Sequence, residues 1–159
     1  MHIREISATD THELRRSVLR DGTPTDEVEW NGDDEPTTFH LGVRLDEGTI
    51  VAISSWLERT HPSYDGRRTM QVRGMATART HRGLGLGSIL LDTGLTICRQ
   101  RGVEIVWARA RVPALRFYEQ HGFHTIGDEY IDATTALPHV DIAADIAAAP
   151  DSATGTTPT

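Results

Sequence analysis

The residues that most clearly announce chemistry run from Arg82 to Ser88, Arg-Gly-Leu-Gly-Leu-Gly-Ser. Glycines at 83, 85 and 87 stand just before a leucine-rich stretch with helical spacing. Without a Cβ, glycine lets backbone N–H groups approach a ligand closely. The first turn of the helix adds unpaired N–H donors and the positive end of the helix dipole. The combination forms an anion cradle, most often for phosphate. Arg82 at its mouth adds a charge-assisted contact. A dinucleotide fingerprint requires G-x-G-x-x-G directly after a strand, and a P-loop requires lysine. This chain has G-x-G-x-G about five residues after the strand, and all 16 of its basic residues are arginine, so NAD and ATP fit poorly.

The elements that must position this loop are legible from periodicity. Residues 2–6 alternate as a short strand, and a helix is expected at 11–19, capped within 7–10, with Glu13 three residues after Asp10. Strands are predicted at 38–45 and 49–58 about an Asp46-Glu47-Gly48 turn, then at 68–77. Leu86, Ile89, Leu90, Leu91, Leu95 and Cys98 fit a helix over 85–101 closed by Gly102. A strand at 103–109 completes a parallel crossover. A helix at 112–121, with Pro113 in its first turn, ends at Gly122, and 123–130 with 137–142 read as an antiparallel pair. Domain organisation is therefore one α/β domain over 1–142. The Ala/Thr-rich segment 143–159 is a low-complexity tail expected to be disordered, with a short incidental helix admissible at 143–149.

Composition narrows the function classes. A formal net charge of −7 argues against a nucleic-acid partner. The single Cys98 excludes an intrachain disulfide and a cysteine-based zinc cluster, and is read as a buried hydrophobe. His121 and His124 straddle Gly122 and there is no H-E-x-x-H, so no metal is expected. The charged N-terminus is unlike a signal peptide and no apolar run reaches the ~18–20 residues of a membrane span, so a cytoplasmic protein with no membrane partner is expected. Without lysine there is no Schiff-base chemistry.

The glycine loop resembles the central motif of the GNAT superfamily, the acyl-CoA-dependent N-acetyltransferases, [QR]-x-x-G-x-[GA], which stands here as Arg82-Gly83-Leu84-Gly85-Leu86-Gly87. A second motif of that family, F-Y-x-x-x-G-F, is matched by Phe117-Tyr118-Glu119-Gln120-His121-Gly122-Phe123. The resemblance spans about 3–142 and is strongest over 70–123. Thr77 replaces a usual Val, Arg79 a frequent Pro, and Arg111 a frequent Asn that contacts pantetheine.

What the resemblance implies is a mixed, mostly antiparallel sheet with a central splayed parallel strand pair (68–77 and 103–109), flanked by helices. Acetyl-CoA would sit in the splay, with its diphosphate on the backbone of Gly83, Leu84, Gly85, Leu86, Gly87 and Ser88 beside Arg82. Its pantetheine would run along Met75, Ala76 and Thr77, with Arg111 nearby. The Met75 amide would steady the oxyanion and Tyr118 would protonate the leaving thiolate. The implied partner is a small amine, and the resemblance also allows a homodimer. A non-catalytic acyl-CoA-binding module on the same fold, and a nucleotide-dependent oxidoreductase, stand as alternatives.

The base is left open: His40, Glu58, His61 and His139 qualify by residue type, as does a water relay. Trp30, Trp56 and Trp107 are core or cleft-lining candidates, with Trp56 a candidate wall of the acceptor pocket. Six acids over 26–35 read either as a solvated loop or as a flap over a cationic acceptor, with Asp33 and Asp34 as its candidates.

Overall fold

A computed structural model describes residues 1–147. Its eight strands are β1 (His2–Ile6), β2 (Phe39–Arg44), β3 (Ile50–Glu58), β4 (Thr69–Thr77), β5 (Ile105–Arg111), β6 (His124–Thr125), β7 (Tyr130–Ile131) and β8 (Pro138–Asp145). They form one sheet ordered β1-β2-β3-β4-β5-β8-β6, with β7 also on β8. Every pairing is antiparallel except β4 with β5. This is the mixed, mostly antiparallel architecture expected.

The parallel pair is the feature that makes a site. β4 and β5 match only at Thr69↔Ile105, Met70↔Val106 and Gln71↔Trp107, and then part. β5 goes with β8, which pairs it along its whole length to Arg111↔His139. β4 stays on β3, but the register steps from Ser55↔Arg73 to Ile53↔Ala76, so Gly74 and Met75 share Ser54 as their opposite. This is a β-bulge, which bends and twists its strand. Its first residue, Gly74, has φ +67°, a conformation costly for residues with a Cβ.

One face of the sheet carries α2 (Leu86–Gln100). Its Leu90, Leu91, Leu95 and Cys98 pack with Phe39, Trp56, Met70, Val72 and Val106. A Cβ on Gly94 would lie 1.9 Å from Trp56, so the indole seats directly on the α2 backbone. Trp56 is therefore core, stacked on Phe39 at 5.7 Å, and not a wall of the acceptor pocket. Burial pushes the Cys98 thiol up to about 12, which leaves it inert at neutral pH.

Three local expectations are corrected. The segment after β1 is not a regular helix: a 3₁₀ turn (Thr9–Thr11) leads to one α turn, α1 (His12–Leu14), and then a π turn (Arg15–Leu19) closed by Arg20 N–H to the Arg15 carbonyl. Its capping box is Ser7 with Asp10, each backbone N–H bonded to the other's side chain. The helix expected at 112–121 opens as a 3₁₀ turn (Val112–Ala114) directly after β5 ends at Arg111, and α3 proper spans only Leu115–Glu119. The domain boundary at 142 falls inside β8: Ala143 is fully buried opposite Trp107 and His124, so 143–145 is strand and not tail or helix. The remainder of the expected tail, from 148, lies outside the described residues.

Candidate active site

The splay opens a cleft of about 780 Å³ between β4 and β5, which also reaches α2 and α3. Its two sides differ in what builds them.

On the α2 side the chain offers backbone. Gly85 precedes the helix at φ +78°, with no atom within 4 Å of where a Cβ would stand. The first bond of the helix is Ile89 N–H to the Gly85 carbonyl. The N–H groups of Leu86, Gly87 and Ser88 thus open the helix without an acceptor among the described residues, as helix geometry requires. Arg82, Gly83, Leu84 and Gly85 are exposed, Leu86 turns into the core, and Gly87 lines the cleft against Phe117. This donor row suits a diphosphate.

Ser88 has a partner that sequence reasoning missed. Its Oγ is 3.0 Å from Nε2 of His121, whose Nδ1 is 3.1 Å from Asp92. The i,i+4 spacing of Ser88 and Asp92 on α2 was visible, but the crossing of α3 that brings His121 to them was not.

Met75, Ala76, Thr77, Arg111 and Tyr118 all line the cleft, as the motifs implied. The Tyr118 ring packs edge-on to Phe117 and Phe123, at 5.1 and 5.4 Å. Its hydroxyl makes no hydrogen bond among the described residues yet is not among the sealed, unsatisfied atoms, so it opens to the cleft. Burial pushes the phenol up, which keeps it protonated at neutral pH. Arg111 is tied by Nη2 to the Leu19 carbonyl at 2.8 Å.

The opposite wall is made of side chains. Arg15 is fully buried and bidentate on Asp33, at 2.6 and 3.0 Å, and also reaches Ser55 and the Val28 carbonyl. Its guanidinium lies 3.8 Å from the Trp30 ring. Arg73 adds bonds to Asp33 and the Asn31 carbonyl. Burial alone would raise Asp33, but hydrogen bonds from Arg15 and the Trp30 N–H, with the charges of Arg15 and Arg73, outweigh it and hold the carboxyl below its usual range.

This disposes of the acidic flap in the form expected. Asp33 is consumed by two arginines, Asp34 is exposed away from the cleft, and Glu35 is paired with Arg59. Of the six acids only Glu27 and Glu29 reach the cleft; with Asp132 from outside that run they set three carboxylates against five arginines: Arg20, Arg59, Arg73, Arg109 and Arg111. Burial lowers the pKa of Arg20, Arg73 and Arg111, and neighbouring arginines add to this for the first two. Since guanidinium stays charged, the result is a field that favours anions.

The four candidate bases separate cleanly. His40 is buried between Ser55 and the Asp33 carbonyl and does not line the cleft; burial lowers its pKa. Glu58 is exposed beside a second, smaller hollow. His61 accepts Ser63 N–H at Nδ1, so Nε2 carries the proton donated to Asp141, whose other oxygen accepts Tyr130 O–H at 2.6 Å. His139 alone of the four lines the cleft. Its Nδ1 is 2.9 Å from the Leu137 carbonyl, which requires N–H there and leaves the lone pair on Nε2. Among the described residues no group of three or more His, Cys, Asp or Glu is placed to hold a metal, and no helix is long and apolar enough to cross a membrane.

A splayed parallel pair, a bulge and a glycine-opened helix define the class. Residues 4–123 match the family model described as Acetyltransferase (GNAT) family. The chain belongs to that family, whose fold supports acyl-CoA-dependent acyl transfer. It is 29% identical over 130 residues to an uncharacterized N-acetyltransferase, YitI, of Bacillus subtilis (strain 168), covering 82% of this chain and 87% of that one. Among solved structures it resembles Escherichia coli ElaA, with a TM-score of 0.75 at 17% identity, over 91% of this chain and all of that one. It also resembles an aminoglycoside 6'-N-acetyltransferase complexed with coenzyme A, with a TM-score of 0.71 at 16% identity, over 95% of this chain and all of that one.

Proposed function

We propose that this protein transfers an acetyl group from acetyl-CoA to the amine of a small acceptor by direct attack within a ternary complex. One observation carries the reading: the row of N–H groups at Leu86, Gly87 and Ser88, without acceptors among the described residues, meets the cleft at Gly87, and the same cleft holds a tyrosine hydroxyl unpartnered among those residues and a histidine with a bare Nε2. Bound acetyl-CoA supplies the acyl carbon as a thioester. The backbone at Leu86–Ser88, with Arg82, holds the diphosphate end. Met75, Ala76 and Thr77 pair the pantetheine as an added strand would, since β5 has left that edge of β4.

His139 Nε2 takes one proton from the acceptor ammonium and exposes the nitrogen lone pair. The Met75 N–H steadies the negative charge on the acyl oxygen. Tyr118 O–H gives its proton to the sulfur as the C–N bond replaces the C–S bond. The second proton released by the nitrogen passes through solvent and restores Tyr118. Calorimetry with acetyl-CoA, followed by thiol release against a panel of amines, tests this. Saturable binding with amine-dependent thiol release is expected. Binding without turnover on any amine would leave an acyl-CoA-binding module, and absence of binding would overturn the reading altogether.

A further inference from the structure

We infer that the acceptor is an amine that also carries a carboxylate, of amino-acid size, and that Arg109 reads the carboxylate. The inference rests on the transferase reading above and specifies its second substrate. Arg109 lines the cleft at its solvent-exposed side, and its guanidinium makes no hydrogen bond or ion pair among the described residues. That is notable because a carboxylate stands directly opposite in the sheet: Arg109 pairs with Asp141. Asp141 is already spent, with one oxygen on His61 Nε2 and the other on Tyr130 O–H. The other cleft arginines are engaged: Arg20 with the Glu27 carbonyl, Arg59 with Glu35, Arg73 with Asp33, and Arg111 with the Leu19 carbonyl. Arg109 keeps a planar fork of donors, 5.7 Å from the Trp107 ring, with nothing to bind.

The acyl donor's phosphates do not account for it. Ala108 and Ala110 of β5 belong to the core shared with α2, whereas Trp107 packs with Ile105 and Ala143 on the other face. Alternation puts Arg109 on the Trp107 face, across the sheet from α2 and its donor row. On that same face, register sets His139 opposite Arg111, one step diagonally from Arg109. Such diagonal neighbours lie about 7–8 Å apart. An ammonium at His139 and a carboxylate at Arg109 are thus spanned by a compact zwitterion and not by a long polyamine.

The test compares the twenty common L-amino acids with their α-carboxamides, and with spermidine, as acceptors for acetyl-CoA. The best amino acid should exceed its own carboxamide at least tenfold in kcat/KM, as a charge-assisted fork requires. Arg109→Gln should bring that ratio within about twofold, through KM, and Arg109→Lys should restore part of it. Both variants should keep the calorimetric affinity for acetyl-CoA. Equal or better use of carboxamides or spermidine, turnover of none of the amino acids, or an unchanged ratio in Arg109→Gln would each overturn the inference. If acetyl-CoA binds and other amines are acetylated in those cases, the transferase reading survives. If acetyl-CoA does not bind, both fall.

Discussion

The loop before α2 offers a ligand mainly backbone N–H groups, all from one contiguous run, Gly85 to Ser88. Across the cleft, the lining is side chains gathered from far apart in the chain, Trp30, Arg73, Arg109 and His139, with the buried Arg15 behind them. The first region needs one local conformation. The second needs a buried ionic frame to hold its members in place. The two should therefore fail differently when altered.

The largest effect expected is at the frame. Arg15→Met removes the bidentate partner of the buried Asp33 and leaves it only Arg73 and the Trp30 N–H, which should cost about 3 kcal/mol and at most about 5. At this chain length that lowers Tm by roughly 6–20 °C in a thermal melt. Acetyl-CoA affinity of the folded protein should change little, which would sharpen the contrast between the two sides; equal loss on both would break it.

Next is Tyr118→Phe, which keeps the ring packing and deletes the cleft-facing hydroxyl. The turnover number should fall about 100-fold, the low end for general acid catalysis, with acetyl-CoA binding unchanged by calorimetry. An unaltered turnover number would remove Tyr118 from the mechanism.

A smaller effect is expected at Gly85. An alanine there meets open space but must adopt φ +78°, a strain of roughly 1–2 kcal/mol. If the loop shifts to relieve it, acetyl-CoA affinity should fall about tenfold with the melt nearly preserved, the mirror image of Arg15→Met.

The smallest is the pH profile of stability, which the frame should dominate. The folded Asp33 titrates below its unfolded value of about 3.9, so its contribution is complete above that value and lost as pH falls through the lower, folded one. His40 is also lowered, so below about pH 6.5 the unfolded chain binds the extra proton first and stability declines as pH falls. In denaturant titrations, His40→Gln should flatten the slope below about pH 6.5, and Asp33→Asn should flatten it below about pH 4.

Strand and helix patterning was readable for β2, β3, β4 and α2: the strands are largely buried on both faces and read as short apolar runs bounded by turn residues, whereas α2 buries one face at helical spacing. The Arg82–Ser88 loop was readable because glycine spacing and helix onset are local. The end of β8 was not: its alanines look like filler until Trp107 and His124 are seen on either side. Nor was the role of Asp33, which in one dimension is another acid in an acidic run and in three is the counter-ion of Arg15 and Arg73. That His139, alone of the four candidate bases, lines the cleft, with Nδ1 on the Leu137 carbonyl, depends on the strand crossings and not on local sequence.

Residue order alone was enough to specify the family, the fold and the glycine-opened start of α2, since these rest on short-range spacing and backbone conformation. Which side chains face the acceptor, and with what charge left over, was decided by chain crossings over long separations. Arg109 shows the reason: it has no partner among the described residues, and Asp141, 32 positions later and opposite it across the sheet, is already held by His61 and Tyr130.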